Sequence, residues 1–195
     1  MIYGCTKSVL DGTEKKFSME NEAKLPEQYS YEAFLPEVLN QGNKPICVPC
    51  SISSWINWKK NLKDGKIVDH KVDLQRIYNI REDKDAQGMQ IKEALKFLKK
   101  EGDISGYAMV GSFQVLKYAI IVNGPCIGGL PVRSEGYSDF WMGSENLGGH
   151  AIAVVGYDED GLIIRNSWGK EFGNRGYCHM PYSEFSNFFE LWTII

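Results

Sequence analysis

The chain has 195 residues, 43% hydrophobic and 24% charged, with a formal net charge of −3. A globule of this length buries roughly 70% of the surface its unfolded chain exposes, so it can form a core without metal or disulfide staples. No dense Lys/Arg block alternates with aromatics, so nucleic acid is not an expected partner, and the longest apolar run, Ala151 to Gly156, is far short of the roughly 20 residues a membrane span needs.

Residues 1–24 are polar and mixed in charge, and read as a poorly ordered arm or short edge structure ahead of one folding unit over 25–195. Met1 to Thr13 lacks a basic region followed by an apolar stretch, so no secretory signal is read and a cytoplasmic location is expected. Pro26, Pro36 and Pro45 hold the next segment in extended or turn conformations, delivering the chain to Cys47 as a loop. From Ile46 to about Leu62, apolar residues recur at near-helical spacing, and Asp64 and Gly65 end the run. Pro49 fits a first helical turn, where a missing N–H had no intrahelical partner.

A short helix is expected over Leu74 to Ile80, an amphipathic one through Ile91, Ala94, Leu95 and Leu98, and a third over Phe113 to Val122. Then the period changes. Cys126 to Val132, Ala151 to Gly156, Leu162 to Asn166, Gly176 to Met180 and Leu191 to Ile195 are strand-like runs bounded by turn residues, with Asp158 to Gly161 as a hairpin turn. Helices lead and strands follow, which gives the α+β class.

A thiol attacks amides well only as a thiolate, so a catalytic cysteine wants a helix N-terminus and a histidine able to hold its proton. Cys47 sits where the first long helix begins. The unpaired amides of that first turn also suit an oxyanion, and Gln41, six positions upstream, can add a side-chain donor. Of the three histidines, His70 lies in a charged stretch and His179 between Cys178 and Met180, neither with polar partners arranged around it in sequence. His150 follows Gly148 and Gly149 at the mouth of an apolar strand. Asn166, sixteen positions later, can accept from its second ring N–H and fix its tautomer. Phe140 and Trp141 fit core or cleft wall equally. Cys47 and Cys50 also form a C-x-x-C pair, but no apolar strand precedes them as in a thioredoxin-like redox motif. With five cysteines, at least one thiol stays free.

NQG at Asn40 to Gly42 with a cysteine six positions after the glutamine, GHA at Gly149 to Ala151, and NSWG at Asn166 to Gly169 resemble the motifs of the papain family in order and spacing. The resemblance implies two lobes, one mainly helical and N-terminal, one an antiparallel β-barrel-like C-terminal lobe, with the active cleft between them. It implies cysteine endopeptidase activity on extended polypeptide, working as a monomer without cofactor or metal. It assigns Gln41 to the oxyanion hole, Cys47 as nucleophile, His150 as base and acid, Asn166 as orienter and Trp168 as shield. Gly88, Gly149 and Trp168 would lie along bound substrate. The motifs depart from secreted relatives at Lys44, where a disulfide-forming cysteine is usual, and at Val48, where an aromatic follows the nucleophile. Nucleophile and base stand 103 positions apart against roughly 130 in papain and cathepsins, so loops are trimmed. Only 24 residues precede Leu25, too few for the family's inhibitory prosegment, which implies control by other means or removal of the arm. Compact members of this kind resemble proteins of bacteria and their phages, so association with a virion is the alternative location. A transpeptidase or cell-wall peptidase, or a non-catalytic binding or virion module, is the alternative function.

Overall fold

The computed structural model describes residues 3–19, 24–134 and 138–195; its helices precede its longer strands as expected, with four strands of two or three residues before and among the helices. Two short strands, β1 (Cys5–Thr6) and β2 (Tyr29–Ser30), precede helix α1 (Cys47–Asp64). Helix α2 (Leu74–Tyr78), strand β3 (Met89–Gln90), helix α3 (Ile91–Lys100), strand β4 (Tyr107–Met109) and helix α4 (Phe113–Asn123) follow. The remainder is strand: β5 (Cys126–Val132), β6 (Gly148–Tyr157), β7 (Leu162–Arg165), β8 (Tyr177–Met180) and β9 (Glu190–Ile194).

Helix α1 is buried on nearly every side, which a simple amphipathic pattern would not allow. Its inward polar groups are satisfied locally or hold loops. The Ser51 and Ser53 hydroxyls donate to the Cys47 and Cys50 carbonyls at 2.9 and 2.6 Å. Asn57 and Asn61 accept from the His70 and Val68 amides at 2.8 and 3.0 Å. Gly65 ends the helix in the left-handed conformation, φ 63°. Helix α3 buries Ile91, Ala94, Leu95 and Leu98, the stripe its sequence presents, and opens with a capping box between Gln90 and Glu93.

The sheet runs β4-β9-β5-β6-β7-β8, antiparallel throughout, with β2 added against β6. The expected barrel-like lobe is therefore an open antiparallel sheet, since no pairing among the described residues joins β4 to β8. Strand β6 lies at its centre, with Ala151 to Tyr157 buried against α1 on one face. The Asp158 to Gly161 turn closes β6 to β7 as expected, the Asp158 amide donating to the Gly161 carbonyl at 3.0 Å. This brings the start of β6 and the end of β7 side by side, facing the first turn of α1.

Residues 3–19 of the arm lie on the body. Strand β1 pairs in parallel with β3, and Phe17 and Met109 exchange backbone bonds with Met109 and Lys15. Residues 1, 2 and 20–23 of the arm lie outside the described residues. No helix among the described residues is long and apolar enough to cross a membrane.

Candidate active site

Helix α1 starts at Cys47, and Ile46 before it supplies no side-chain cap, so the first-turn amides keep their donors for other partners. The Cys47 and Val48 amides face the Cys47 sulfur, joined by those of Ala151 from β6 and Gly4 from the arm. The sulfur thus lies where both lobes and the arm converge. It is wholly buried.

One residue before Ala151, the imidazole of His150 is also wholly buried, with Nε2 at 2.7 Å from Asn166 Oδ1. The Ser167 amide donates to that same Oδ1 at 2.7 Å, which fixes the orientation of the carboxamide. Nε2 therefore carries the hydrogen, and the neutral ring presents Nδ1 as a lone pair. Nδ1 has no hydrogen-bond partner among the described residues. Trp168 stacks on the ring at 4.7 Å between centroids, and Phe140 meets it edge-on at 5.7 Å. Phe140 is both core and cleft wall, fully buried yet against the imidazole.

Gln41 is pinned beside this strip. Its amide donates to the Ser167 carbonyl at 2.8 Å, its Oε1 accepts from the Ser167 hydroxyl at 2.6 Å, and its Nε2 donates to the Lys44 carbonyl at 3.1 Å. Ser167 thus holds both Gln41 and Asn166. Sequence reasoning passed over it because a serine within NSWG carries no chemical signal of its own.

The arm runs through the cleft over all of this. The Gly4 carbonyl accepts from the Met89 amide at 2.9 Å, and the Tyr3 ring lies 6.5 Å from His150 and 6.3 Å from Trp168. A Cβ on Gly88 would come within 2.5 Å of the Gly4 oxygen, and one on Gly149 within 2.1 Å of the Cys5 oxygen. Every residue expected along substrate, Gly88, Gly149 and Trp168, is therefore covered by residues 3–5.

Burial sets the ionisation of the site. Burial pushes the Cys47 thiol up to about 11, with the four surrounding amides pulling the other way. Burial pushes His150 down to about 4, against the opposing Asn166 bond. In this form burial holds the Cys47 thiol protonated and the His150 imidazole neutral. Because the folded value of His150 lies below its usual 6.5, the unfolded chain takes up this proton first as pH falls. The stability tied to neutral His150 is full above about 6.5 and is lost as pH falls through about 4, roughly 3 kcal/mol in all. The drop in unfolding free energy between about pH 7 and pH 4, measured by urea denaturation, is expected to be smaller in His150→Ala by about that amount. Equal drops in both proteins would contradict the burial argument.

The other histidines do have partners, contrary to the reading of their sequence neighbours. His70 Nε2 meets Asn61 Oδ1 at 2.9 Å, and His179 Nε2 meets Asp158 Oδ2 at 2.8 Å. Each staples a loop to its neighbour in the fold. All five cysteines are free and buried. A concavity of about 980 Å³ lined by Leu35, Glu37, Lys170 and Arg175, among others, carries neither cysteine nor histidine.

The profile of the papain family cysteine proteases matches residues 55–188, a range that includes His150 and Asn166 and begins after Cys47. The chain is 45% identical over 40 residues to an uncharacterized peptidase C1-like protein, L477, of Acanthamoeba polyphaga mimivirus, covering 20% of this chain and 13% of that one. It is 28% identical over 96 residues to cathepsin R of Mus musculus, covering 41% and 29%. The matched stretches thus span under a third of these relatives. The fold is similar to xylellain, a cysteine protease from Xylella fastidiosa, with TM-score 0.81 at 21% identity over 98% of this chain and 95% of that one. By profile, motif order and fold, the chain belongs to the papain family of cysteine proteases.

Proposed function

We propose that the protein is a cysteine endopeptidase acting through a thioester on Cys47, and that the form with residues 3–6 in the cleft is its latent state. The observation that carries this reading is the unused Nδ1 lone pair of His150, oriented through Nε2 by Asn166, on the residue next to an amide that faces the Cys47 sulfur. When the arm lifts, water re-enters, the desolvation that favours the neutral forms is relieved, and the proton passes from sulfur to Nδ1. The thiolate attacks the carbonyl carbon, and the oxyanion takes the Cys47 amide and Gln41 Nε2 as donors. His150 returns its proton to the departing amine, then draws one from water as that water attacks the thioester and frees the acid. Trp168 and Phe140 keep bulk water from the His150 to Asn166 bond.

The seated arm supports latency because it presents the Gly4 N–H, not a carbonyl, to the sulfur, while the Gly4 carbonyl is held by Met89. An unfolded polypeptide incubated with the protein in isotopically labelled water tests the activity. Internal fragments whose new carboxyl ends carry the label, absent with Cys47→Ala, are the expected result. Products joined to an added amine, without labelled ends, would identify a transpeptidase. Intact substrate held in a stable complex would identify a binding module.

A further inference from the structure

Three cysteines gather at the start of α1, and the chemistry above uses only Cys47. Cys126 and Cys178 stand apart on β5 and β8, whereas Cys5 of the arm and Cys50 of α1 both lie near enough to Cys47 for its charge to oppose their ionisation. The Gly4 amide, one residue before Cys5, faces the Cys47 sulfur. The Cys5 sulfur itself lies 3.3 Å from where a Cβ on Gly129 would stand, and Gly129 pairs across the sheet with Ala151, whose amide also faces the Cys47 sulfur. Paired residues of antiparallel strands stand about 5 Å apart at Cα, so the two sulfurs are gathered over one pair of sheet neighbours.

Disulfide geometry separates the two candidate partners. The bond needs Cβ atoms about 3.5–4.5 Å apart. Cys50 is fixed three residues along the same helix, where Cβ atoms stand about 5–6 Å apart, and closing that gap distorts the first turn of α1. Cys5 sits on a strand of two residues, in a segment that must move for substrate to enter, so its backbone can adjust to the bond. Contacts beyond the covered catalytic residues return it to the same register. The Ser8 amide donates to Glu190 Oε1 at 3.0 Å, the Val9 amide to Gln90 Oε1 at 2.9 Å, and Lys92 Nζ to the Val9 carbonyl at 3.2 Å. Tethered in this way, Cys5 meets Cys47 at a high effective concentration each time the arm returns.

Resting on the peptidase reading, we propose that Cys5 is a resolving cysteine: after a peroxide oxidises Cys47, the two form a disulfide that locks the arm in the cleft until a dithiol reduces it. Oxidation begins in the open form, since the seated arm leaves both sulfurs buried. The Cys47 thiolate attacks one peroxide oxygen and the O–O bond breaks, leaving a sulfenic acid on Cys47, while the departing hydroxide takes the proton held by His150 and becomes water. When the arm returns, the Cys5 sulfur attacks the Cys47 sulfur and the S–O bond breaks, the second hydroxide leaving with the Cys5 proton as water. Two thiols have lost two protons and two electrons, and one peroxide has become two waters. The lock spares Cys47 the irreversible step to sulfinic acid.

The test uses the full-length chain, reduced and then treated with excess hydrogen peroxide, as wild type, Cys5→Ala and Cys50→Ala. Peptide mapping without reduction reads the cross-link, and a peptidyl vinyl sulfone reads the reactivity of Cys47 before peroxide, after it, and after dithiothreitol. In wild type and Cys50→Ala, a peptide joining Cys5 to Cys47 is expected, with labelling lost on oxidation and restored to near its starting rate on reduction. In Cys5→Ala, labelling is expected to stay lost after dithiothreitol, with Cys47 as the sulfinic acid. Cross-linking of Cys47 to Cys50, or equal recovery with and without Cys5, overturns the proposal, and labelling of the reduced wild type then leaves the peptidase reading standing. If the reduced chain does not label at Cys47, that reading falls and this inference with it.

Discussion

Gly4→Ala is expected to raise the initial rate of polypeptide hydrolysis by about ten- to a hundred-fold. An alanine Cβ at this position would stand 2.3 Å from the Pro45 oxygen, 2.5 Å from its carbonyl carbon and 2.6 Å from its Cα. These are backbone atoms in the loop between Gln41 and Cys47, so they cannot swing aside as a flexible side chain would. The arm must yield. Overpacking of this kind costs about 1–3 kcal/mol, and here the cost falls on the seated state alone. Each 1.4 kcal/mol or so shifts the seated-to-open ratio about tenfold, which sets the expected gain. Gly88→Ala meets the Gly4 oxygen at 2.5 Å and would also unseat the arm, but its φ of +112° strains any other residue and it borders the edge substrate needs. It is expected to give no gain. A Gly4→Ala protein that hydrolyses more slowly than wild type would mean that the arm helps build the site instead of closing it.

The long elements were legible because each carries its own period. The stripe of α3, the near-helical spacing of α1 and the apolar run of β6 are all set by burial within the element, and the structure follows them to within a few residues. The short strands were not legible. β1 and β3 are two residues each, and their pairing joins Cys5 to Met89 across most of the helical lobe, so no local pattern announces it. The same holds for β4, which exists because β9 pairs with it.

Around the site, the sequence marked Gln41, Cys47, His150 and Asn166 through residue type and spacing, and the fold gathers them between α1, β6 and β7. The partners that hold them, the Ser167 hydroxyl on Gln41 and the Phe140 ring on His150, arise from tertiary packing and leave no trace in spacing. The resemblance set Gly88 along bound substrate. The chain that approaches it here is the protein's own residue 4, and nothing in the polar pattern of the arm announces that contact.

In the Gly4→Ala background, His150→Ala is expected to lower turnover by between about a hundred- and ten-thousand-fold, the span of general acid–base catalysis. Asn166→Ala is expected to cost only about tenfold, because it removes one orienting hydrogen bond and leaves the base in place. The difference in size follows from the proposed mechanism: Nδ1 would move the proton, whereas Asn166 meets the opposite nitrogen, Nε2, at 2.7 Å. Equal losses in the two variants would mean that His150 serves the fold and not the reaction.

Labelling with a peptidyl vinyl sulfone, read by intact mass and peptide mapping, shows whether Cys47 and His150 become a reactive pair once the arm lifts. The expected result is a single adduct on Cys47, formed slowly in wild type and faster in Gly4→Ala, strongly slowed by His150→Ala and lost in Cys47→Ala. An adduct on Cys5 or Cys50, or labelling that proceeds at the same rate without His150, would contradict it.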